Sequence, residues 1–486
     1  MPRNPDRLTA LDSAFLHLEG TTPANMHVAS VMTFEGPVPE YDEVLELLES
    51  RLHLVPRYRQ RLAAVPLGQG RPVWTDDPHF NLRYHLRHTG VPAPGGPDEL
   101  KTLAGRIFSG RLDRNRPLWE IWLVDGLADG GFALIGKTHH ALVDGISGVD
   151  ITTVLFDVSP EPAPVPPPDR QWAPRPAPSR AELLADALLE RATVPAEAAR
   201  AVRALTRGPR RVARQLVRDT AAVGETLLAT LRPAPPSPLN VRIGPHRRYT
   251  WVDADLAEFK AIKDELGGTV NDVVLTAVSL ALGRWLRRHA FPCEGLELRA
   301  LVPVSVRAEV DRGALGNRVS AMFAPLPVCI QDPELAYRRV HEAMAGLNES
   351  GQAVGASTIT QLGDFAQPTI LSQAARLQRS QRWFNVVVTN VPGPQLSLYV
   401  RGRRMTHLYP VVPLAENQAL GIAIMSYDGT LGFGLLGDYD ALADIDDLAE
   451  DLATAIGDLA ATAGVRRRPR LRRGRDRSRR TTPAPA

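Results

Sequence analysis

Between Pro160 and Pro178 the chain places nine prolines in nineteen residues. Proline fixes φ and has no backbone N–H to donate. This stretch therefore continues neither a helix nor a central strand, and it reads as an extended linker. A second proline cluster, Pro233 to Pro238, closes the segment. The folded chain must then consist of one part before the first cluster and one part after the second. The expected division is residues 1–159, a proline-bounded basic helical insert or linker over 160–246, residues 247–465, and an Arg-rich tail over 466–486 that should be disordered.

A chain of 486 residues with 44% hydrophobic and 23% charged residues can bury a sizeable core in each main part. The net charge of +3 conceals an asymmetry. The run Arg466 to Arg480 holds ten arginines and one aspartate, so the rest of the chain is mildly acidic. The tail carries no interleaved aromatics for base stacking, and no specific nucleic-acid partner is expected. Within the insert, Arg200 to Arg218 contains seven arginines and no acid, mixed with aliphatics. That segment reads either as an amphipathic contact with an anionic membrane or as a solvated helix. The two cysteines, Cys293 and Cys329, make no disulfide framework and no metal-ligand spacing. The N-terminus lacks the apolar core of a signal peptide, and no apolar run reaches transmembrane length. A cytoplasmic protein with at most peripheral membrane contact is expected.

The periodicity predicts mixed helix and strand in both main parts. Tyr41 to Leu54 and Val270 to Arg288 have apolar residues at helical spacing, and Asp444 to Leu459 reads as an amphipathic closing helix. Trp119 to Val124 and Phe132 to Lys137 flank DGLADGG and read as two strands joined by a glycine-rich turn. Further strands are expected at Leu296 to Val304, Arg318 to Leu326, Phe384 to Thr389, Ala419 to Tyr427 and Thr430 to Leu436. The run GISGVDITTVLFDV, after Asp144, reads as helical, and so does Ala181 to Leu231.

The second strand of the Trp119–Lys137 pair leads into HHALVDG (His139 to Gly145). A histidine that projects from a strand end into a cleft can serve as a general base, because its ordinary pKa of about 6.5 leaves much of it neutral at working pH. An alcohol attacking a thioester needs such a base. Successive residues of a strand point to opposite faces, so at most one of His139 and His140 enters a given cleft. The alternative is that both are ordinary polar residues. Gly145 allows a sharp turn or a close backbone approach. Asp144 reads as a helix cap or an arginine partner rather than as the acid of a triad. A second motif, TVND, opens the long helix at Val270. Thr269 and Asp272 have capping-box spacing, which leaves Asn271 free beside the unpaired N–H groups of a helix start.

HHALVDG resembles the HHxxxDG motif of the chloramphenicol acetyltransferase-like superfamily. An ordered set of further segments resembles one branch of it, the bacterial wax ester synthase/diacylglycerol acyltransferase family. These are LTALDSAFLHLE (Leu8 to Glu19), NMHV (Asn25 to Val28), PRYRQRL (Pro56 to Leu62), LDRNRPLWE (Leu112 to Glu120), TVNDVVL (Thr269 to Leu275), PVSVR (Pro303 to Arg307), Gly316–Asn317 and NVVVTNVPGP (Asn385 to Pro394). The resemblance implies an α/β fold of two chloramphenicol-acetyltransferase-like mixed-sheet halves with the active site between them. It implies His140 as the general base, His139 as its supporting partner, and Asp144 as a mainly structural acid with Arg307 as its arginine. Asn271 and Asp272 form the family's second functional motif. The implied reaction moves an acyl group from acyl-CoA to diacylglycerol, with long-chain alcohols as second acceptors. No cofactor is implied beyond acyl-CoA as co-substrate. Partners are then the two substrates and a peripheral membrane or lipid-droplet surface on the cytoplasmic side. A stand-alone condensation or polyketide-type acyltransferase, and a catalytically silent lipid-droplet protein, are the rival readings.

Overall fold

The computed structural model describes residues 6–143, 155–162, 165–168, 170–190, 233–305, 319–349 and 383–465. Fourteen strands lie among these residues. They are β1 (His27–Phe34), β2 (Gln60–Ala63), β3 (Val73–Asp76), β4 (Leu86–Gly90), β5 (Trp119–Asp125), β6 (Phe132–His139), β7 (Arg247–Asp255), β8 (Leu298–Ser305), β9 (Val319–Leu326), β10 (Val386–Val391), β11 (Tyr399–Val400), β12 (Arg403–Val411), β13 (Leu420–Tyr427) and β14 (Thr430–Asp438). They form two six-stranded mixed sheets, in the orders β11-β12-β1-β6-β5-β4 and β7-β14-β13-β10-β8-β9, with β2-β3 as a separate pair. The fold is therefore mixed α/β with two sheet-rich halves, as the sequence implied.

Local chemistry explains the helix Val270–Arg288. Thr269 Oγ1 accepts from the Asp272 N–H at 3.2 Å, and Asp272 Oδ2 accepts from the Thr269 N–H at 2.9 Å. Two of the helix start's orphan donors are thereby satisfied. Beyond the cap, Val274, Val278, Leu282 and Trp285 are buried against the second sheet. Helix Ile445–Thr462 packs beside it through Leu448, Leu452, Ile456 and Leu459, at the i, i+4 spacing of one face. The helix over Tyr41–Arg51 is shorter than its apolar pattern, because Leu52–Leu54 tighten into a 3₁₀ turn.

Sheet membership does not follow chain order. Strands β11 and β12 come late in the chain but complete the first sheet, where β12 pairs antiparallel with β1 from Ala29↔Val411 to Phe34↔Met405. The chain then returns to the second sheet as β13 and β14. At the crossing, β12 lies directly on β14. A Cβ at Gly432 would stand 2.1 Å from the Leu408 carbonyl oxygen, and one at Gly434 1.8 Å from that of Pro410. Only glycine permits this approach. Around it, the Tyr249 hydroxyl donates to the Tyr409 carbonyl at 3.2 Å, and the Trp251 and Tyr409 rings stack at 4.7 Å. An apolar cluster holding Val31, Ile135, Phe108, Tyr249 and Tyr409 fills the seam between the halves.

Described residues of the proline stretch form neither helix nor strand. They are nonetheless docked. Arg175 meets both oxygens of Asp76 at 3.2 Å, and Arg59 lies 5.0 Å from the Trp172 ring centre. A helix over 180–190 follows, held by Asp186 and Glu190 against Arg7 and Arg71 at 2.7–3.0 Å. The helical expectation beyond residue 190, most of GISGVDITTVLFDV, Arg200 to Arg218 and the Arg-rich tail lie outside the described residues.

The crossing makes Gly434→Ala costly. Overpacking against backbone that cannot yield should destabilise the protein by about 1–3 kcal/mol in a urea titration. Gly346→Ala, in a helix with open space at its Cβ, should instead stabilise by about 0.5–1 kcal/mol. A neutral Gly434→Ala would contradict the crossing.

Candidate active site

Strand β6 is buried along its whole length and ends at His139. Its neighbour β1 begins at His27, which pairs in register with His139. The two rings share one face of the sheet, with centroids 5.9 Å apart. Helix Ala10–Thr21, capped by Thr9, brings Glu19 onto that face. Glu19 is 2% exposed. Its Oε1 lies 3.0 Å from His27 Nε2, and its Oε2 lies 3.5 Å from His139 Nε2. Arg114 donates to the same Oε2 at 2.8 Å and to the Leu16 carbonyl at 2.6 Å.

The electrostatics follow from this enclosure. Burial alone would raise the Glu19 pKa, but contact with His139 and His27 outweighs it and holds the carboxyl well below the usual range. Burial pushes His27 down to about 4, partly offset by Glu19. His27 is therefore neutral at pH 7. His139 Nδ1 accepts from the Ala141 N–H at 3.1 Å. That assigns the ring proton to Nε2, facing Glu19.

Of the two adjacent histidines, His139 is wholly buried and held by its neighbours. His140 is half-buried and opens a helical turn, His140–Val143. Its N–H donates to the Met26 carbonyl at 2.9 Å, and its ring lies 4.7 Å from that of Phe15. The PLW run is core. Leu118 and Trp119 are fully buried, and the Leu118 carbonyl accepts from the His139 N–H at 2.9 Å. Asn25 Nδ2 donates to the carbonyls of Phe108 and Ser109, at 3.3 and 3.0 Å, anchoring the loop that leads into His27.

Asp272 is 3% exposed and engaged twice, in the helix cap and with His341 Nδ1 at 3.0 Å. Asn271 beside it is half-buried, and its side chain has no hydrogen-bond partner among the described residues. No contact among the described residues joins this pair to His140. Asp144, Gly145 and Arg307 lie outside the described residues. Among the described residues no group of three or more His, Cys, Asp or Glu side chains has a metal-holding arrangement.

Glu19, His27 and Arg114 had no assigned role in the sequence. Each sits inside a segment that carried the resemblance, but they lie far apart along the chain. For Glu19 and His27 the local signal was a titratable residue inside a mostly apolar run; Arg114 sits in a charged run and gave none.

The family model described as the wax ester synthase/diacylglycerol acyltransferase catalytic domain matches residues 8–274, and the C-terminal domain model of the same family matches residues 315–460. Two Mycobacterium tuberculosis proteins named as probable diacylglycerol O-acyltransferases are 33% and 32% identical to the chain, over 480 and 472 residues. These alignments cover 96% and 95% of the chain, and 98% and 100% of the relatives. The structure of the wax ester synthase/diacylglycerol acyltransferase from Marinobacter aquaeolei VT8 superposes with a TM-score of 0.66 at 26% identity, covering 94% of this chain and 100% of that one. The starter condensation domain of rhizomide synthetase superposes with a TM-score of 0.56 at 14% identity, over 94% of each chain, and shares the fold. The ordered motifs, the two-sheet architecture and these matches together show that the chain belongs to the wax ester synthase/diacylglycerol acyltransferase family.

Proposed function

We propose that the protein transfers a long-chain acyl group from acyl-CoA to the free hydroxyl of diacylglycerol, and to long-chain alcohols as second acceptors, with His140 as general base. The observation that carries this reading is the contrast within the histidine pair. His139 is enclosed and faces Glu19, while His140, the residue that follows the same strand, is half-buried. His140 takes the hydroxyl proton as the oxygen attacks the thioester carbonyl. The tetrahedral intermediate collapses with loss of the coenzyme A thiolate, and the His140 imidazolium returns the proton to that sulfur. The enclosed Glu19, clamped by the exposed Arg114, fixes His139, and through the strand end it fixes the backbone that aims His140. Asn271, at a helix start with no side-chain hydrogen bond among the described residues, is the proposed support for the oxyanion. Asp272 acts through the cap and His341. Asp144 and Arg307 are proposed as a structural pair, with Gly145 giving the turn. The reaction itself needs no metal or redox group.

Lipid-soluble acceptors motivate a peripheral site of action, at the cytoplasmic face of a membrane or at lipid droplets. No single helix among the described residues is long and apolar enough to cross a membrane. The arginines of residues 200–218 are the proposed contact with anionic lipid.

Purified protein given palmitoyl-CoA and diacylglycerol or hexadecanol should release free thiol and form the ester. His140→Ala should lower that rate by at least about 100-fold, with unchanged circular dichroism. Unaltered turnover in the folded variant would remove His140 from the mechanism. Glu19→Ala leaves the buried His27 and His139 imidazoles without the carboxylate they face, and should cost about 1–3 kcal/mol of stability in a urea titration.

Acid should destabilise the fold in two windows. His27 and His85 are both held down to about 4 by burial. The unfolded chain therefore takes up their protons first. Stability should fall between about pH 6.5 and 4, by up to roughly 1.4 kcal/mol per pH unit for each histidine. Glu19, whose folded pKa is depressed, adds a further loss below about pH 4. Urea midpoints that stay flat from pH 7 to 4.5 would contradict the buried neutral histidines.

A further inference from the structure

A cavity of about 840 Å³ opens beside helix Pro97–Ser109, over the β4–β5–β6 side of the first sheet. Its floor is Lys137, 2% exposed, whose ammonium donates to the Ile107 and Gly110 carbonyls at 3.2 and 3.0 Å and lies 3.3 Å from Glu120. One wall is aromatic. The Arg87 guanidinium lies 5.1 Å from the Trp122 ring centre and 4.9 Å from that of Tyr84, holding both rings in place. Leu103 and Ile107 supply an apolar flank.

The charges on the rim are not balanced locally. The acids that line the cavity are already engaged. Glu120 meets Arg87 and Lys137, Glu99 caps its helix, Asp98 lies 3.6 Å from Lys101, and Asp113 lies 3.4 Å from Arg116. Arg106 and Arg111 meet no carboxylate among the described residues. Among the described residues, Arg111 donates to the Thr22 carbonyl alone, at 2.5 Å. Two guanidinium groups with no carboxylate partner among the described residues, beside a fixed aromatic wall, suit a ligand with phosphates and a flat ring.

The cavity is also placed for the chemistry. Lys137 precedes His140 by three residues on the same strand and its exit, so the floor lies about 10 Å along the chain from the base. The rim contact at Thr22 opens the short segment that ends at Met26, whose carbonyl holds the His140 N–H.

We propose that this cavity binds the nucleotide end of the acyl-CoA donor, with the adenine against Trp122 and the phosphates on Arg106 and Arg111. The assignment rests on the acyl-CoA reading above. An extended pantetheine arm then spans from the rim to His140.

The test compares two donors, palmitoyl-CoA and palmitoyl-N-acetylcysteamine, which has the same thioester but no nucleotide. The Arg106→Ala/Arg111→Ala variant should raise KM for palmitoyl-CoA by about tenfold or more, with kcat unchanged. It should turn over the N-acetylcysteamine thioester as the wild type does. Calorimetry with 3′,5′-ADP should show binding to the wild type that is lost in the variant. An unchanged KM for palmitoyl-CoA, equal losses with both donors, or 3′,5′-ADP binding that ignores the two arginines would overturn the assignment. The calorimetry needs no turnover. Arginine-dependent 3′,5′-ADP binding by a protein inactive with both donors would support the site while removing the catalytic reading.

Discussion

The buried carboxylate of Glu19 constrains the first half of the fold more than any other single group. An ionised carboxylate loses most of its hydration at 2% exposure, and stays charged only if positive or donor groups enclose it. Three separate stretches supply them: Arg114 from the loop before β5, His27 from the start of β1, and His139 from the end of β6. Helix Ala10–Thr21, two central strands and a loop must therefore meet at one point. That point lies one residue from the proposed base. The same network removes His139 from solvent and sets its tautomer, so the paired histidines do different work although they are adjacent in sequence.

The second constraint is the crossing of β12. A strand from late in the chain completes the first sheet, so the first sheet lacks its full set of strands without the C-terminal part of the chain. The bare backbone at Gly432 and Gly434 lets the two sheets approach to contact distance, and the Tyr249–Trp251–Tyr409 group fills the space around that approach. Helix Pro97–Ser109, packed between the first sheet and β7, carries this seam toward the cavity below Arg106 and Arg111.

Where chemistry is local, the sequence was readable. The helix from Val270 to Arg288 has the bounds that its periodicity and the Thr269–Asp272 cap implied. Strands β5 and β6 lie where two apolar runs flank a glycine-rich turn. Strand β12 was not legible. RRMTHLYPV lacks clean alternation, carries a proline, and is a strand because β1 needs a partner. The Glu19 cluster was hidden for a related reason. Its members share no spacing and meet only through tertiary packing. His140 owes its reading to a resemblance, since adjacent histidines at a strand end imply no catalysis by themselves. The proline stretch was read as extended, but its docking by Arg175 and Trp172 depends on Asp76 and Arg59, far away in sequence.

The division of labour between His139 and His140 is the centre of this account, and selective chemical modification addresses it directly. Diethylpyrocarbonate reacts with accessible neutral imidazoles. With sites mapped by mass spectrometry, loss of acyl transfer should track modification of His140, while His139 and His27 remain unmodified in the folded protein. Saturating palmitoyl-CoA should slow the reaction at His140. Acyl transfer that survives complete modification of His140, or inactivation that follows His139 instead, would contradict the account.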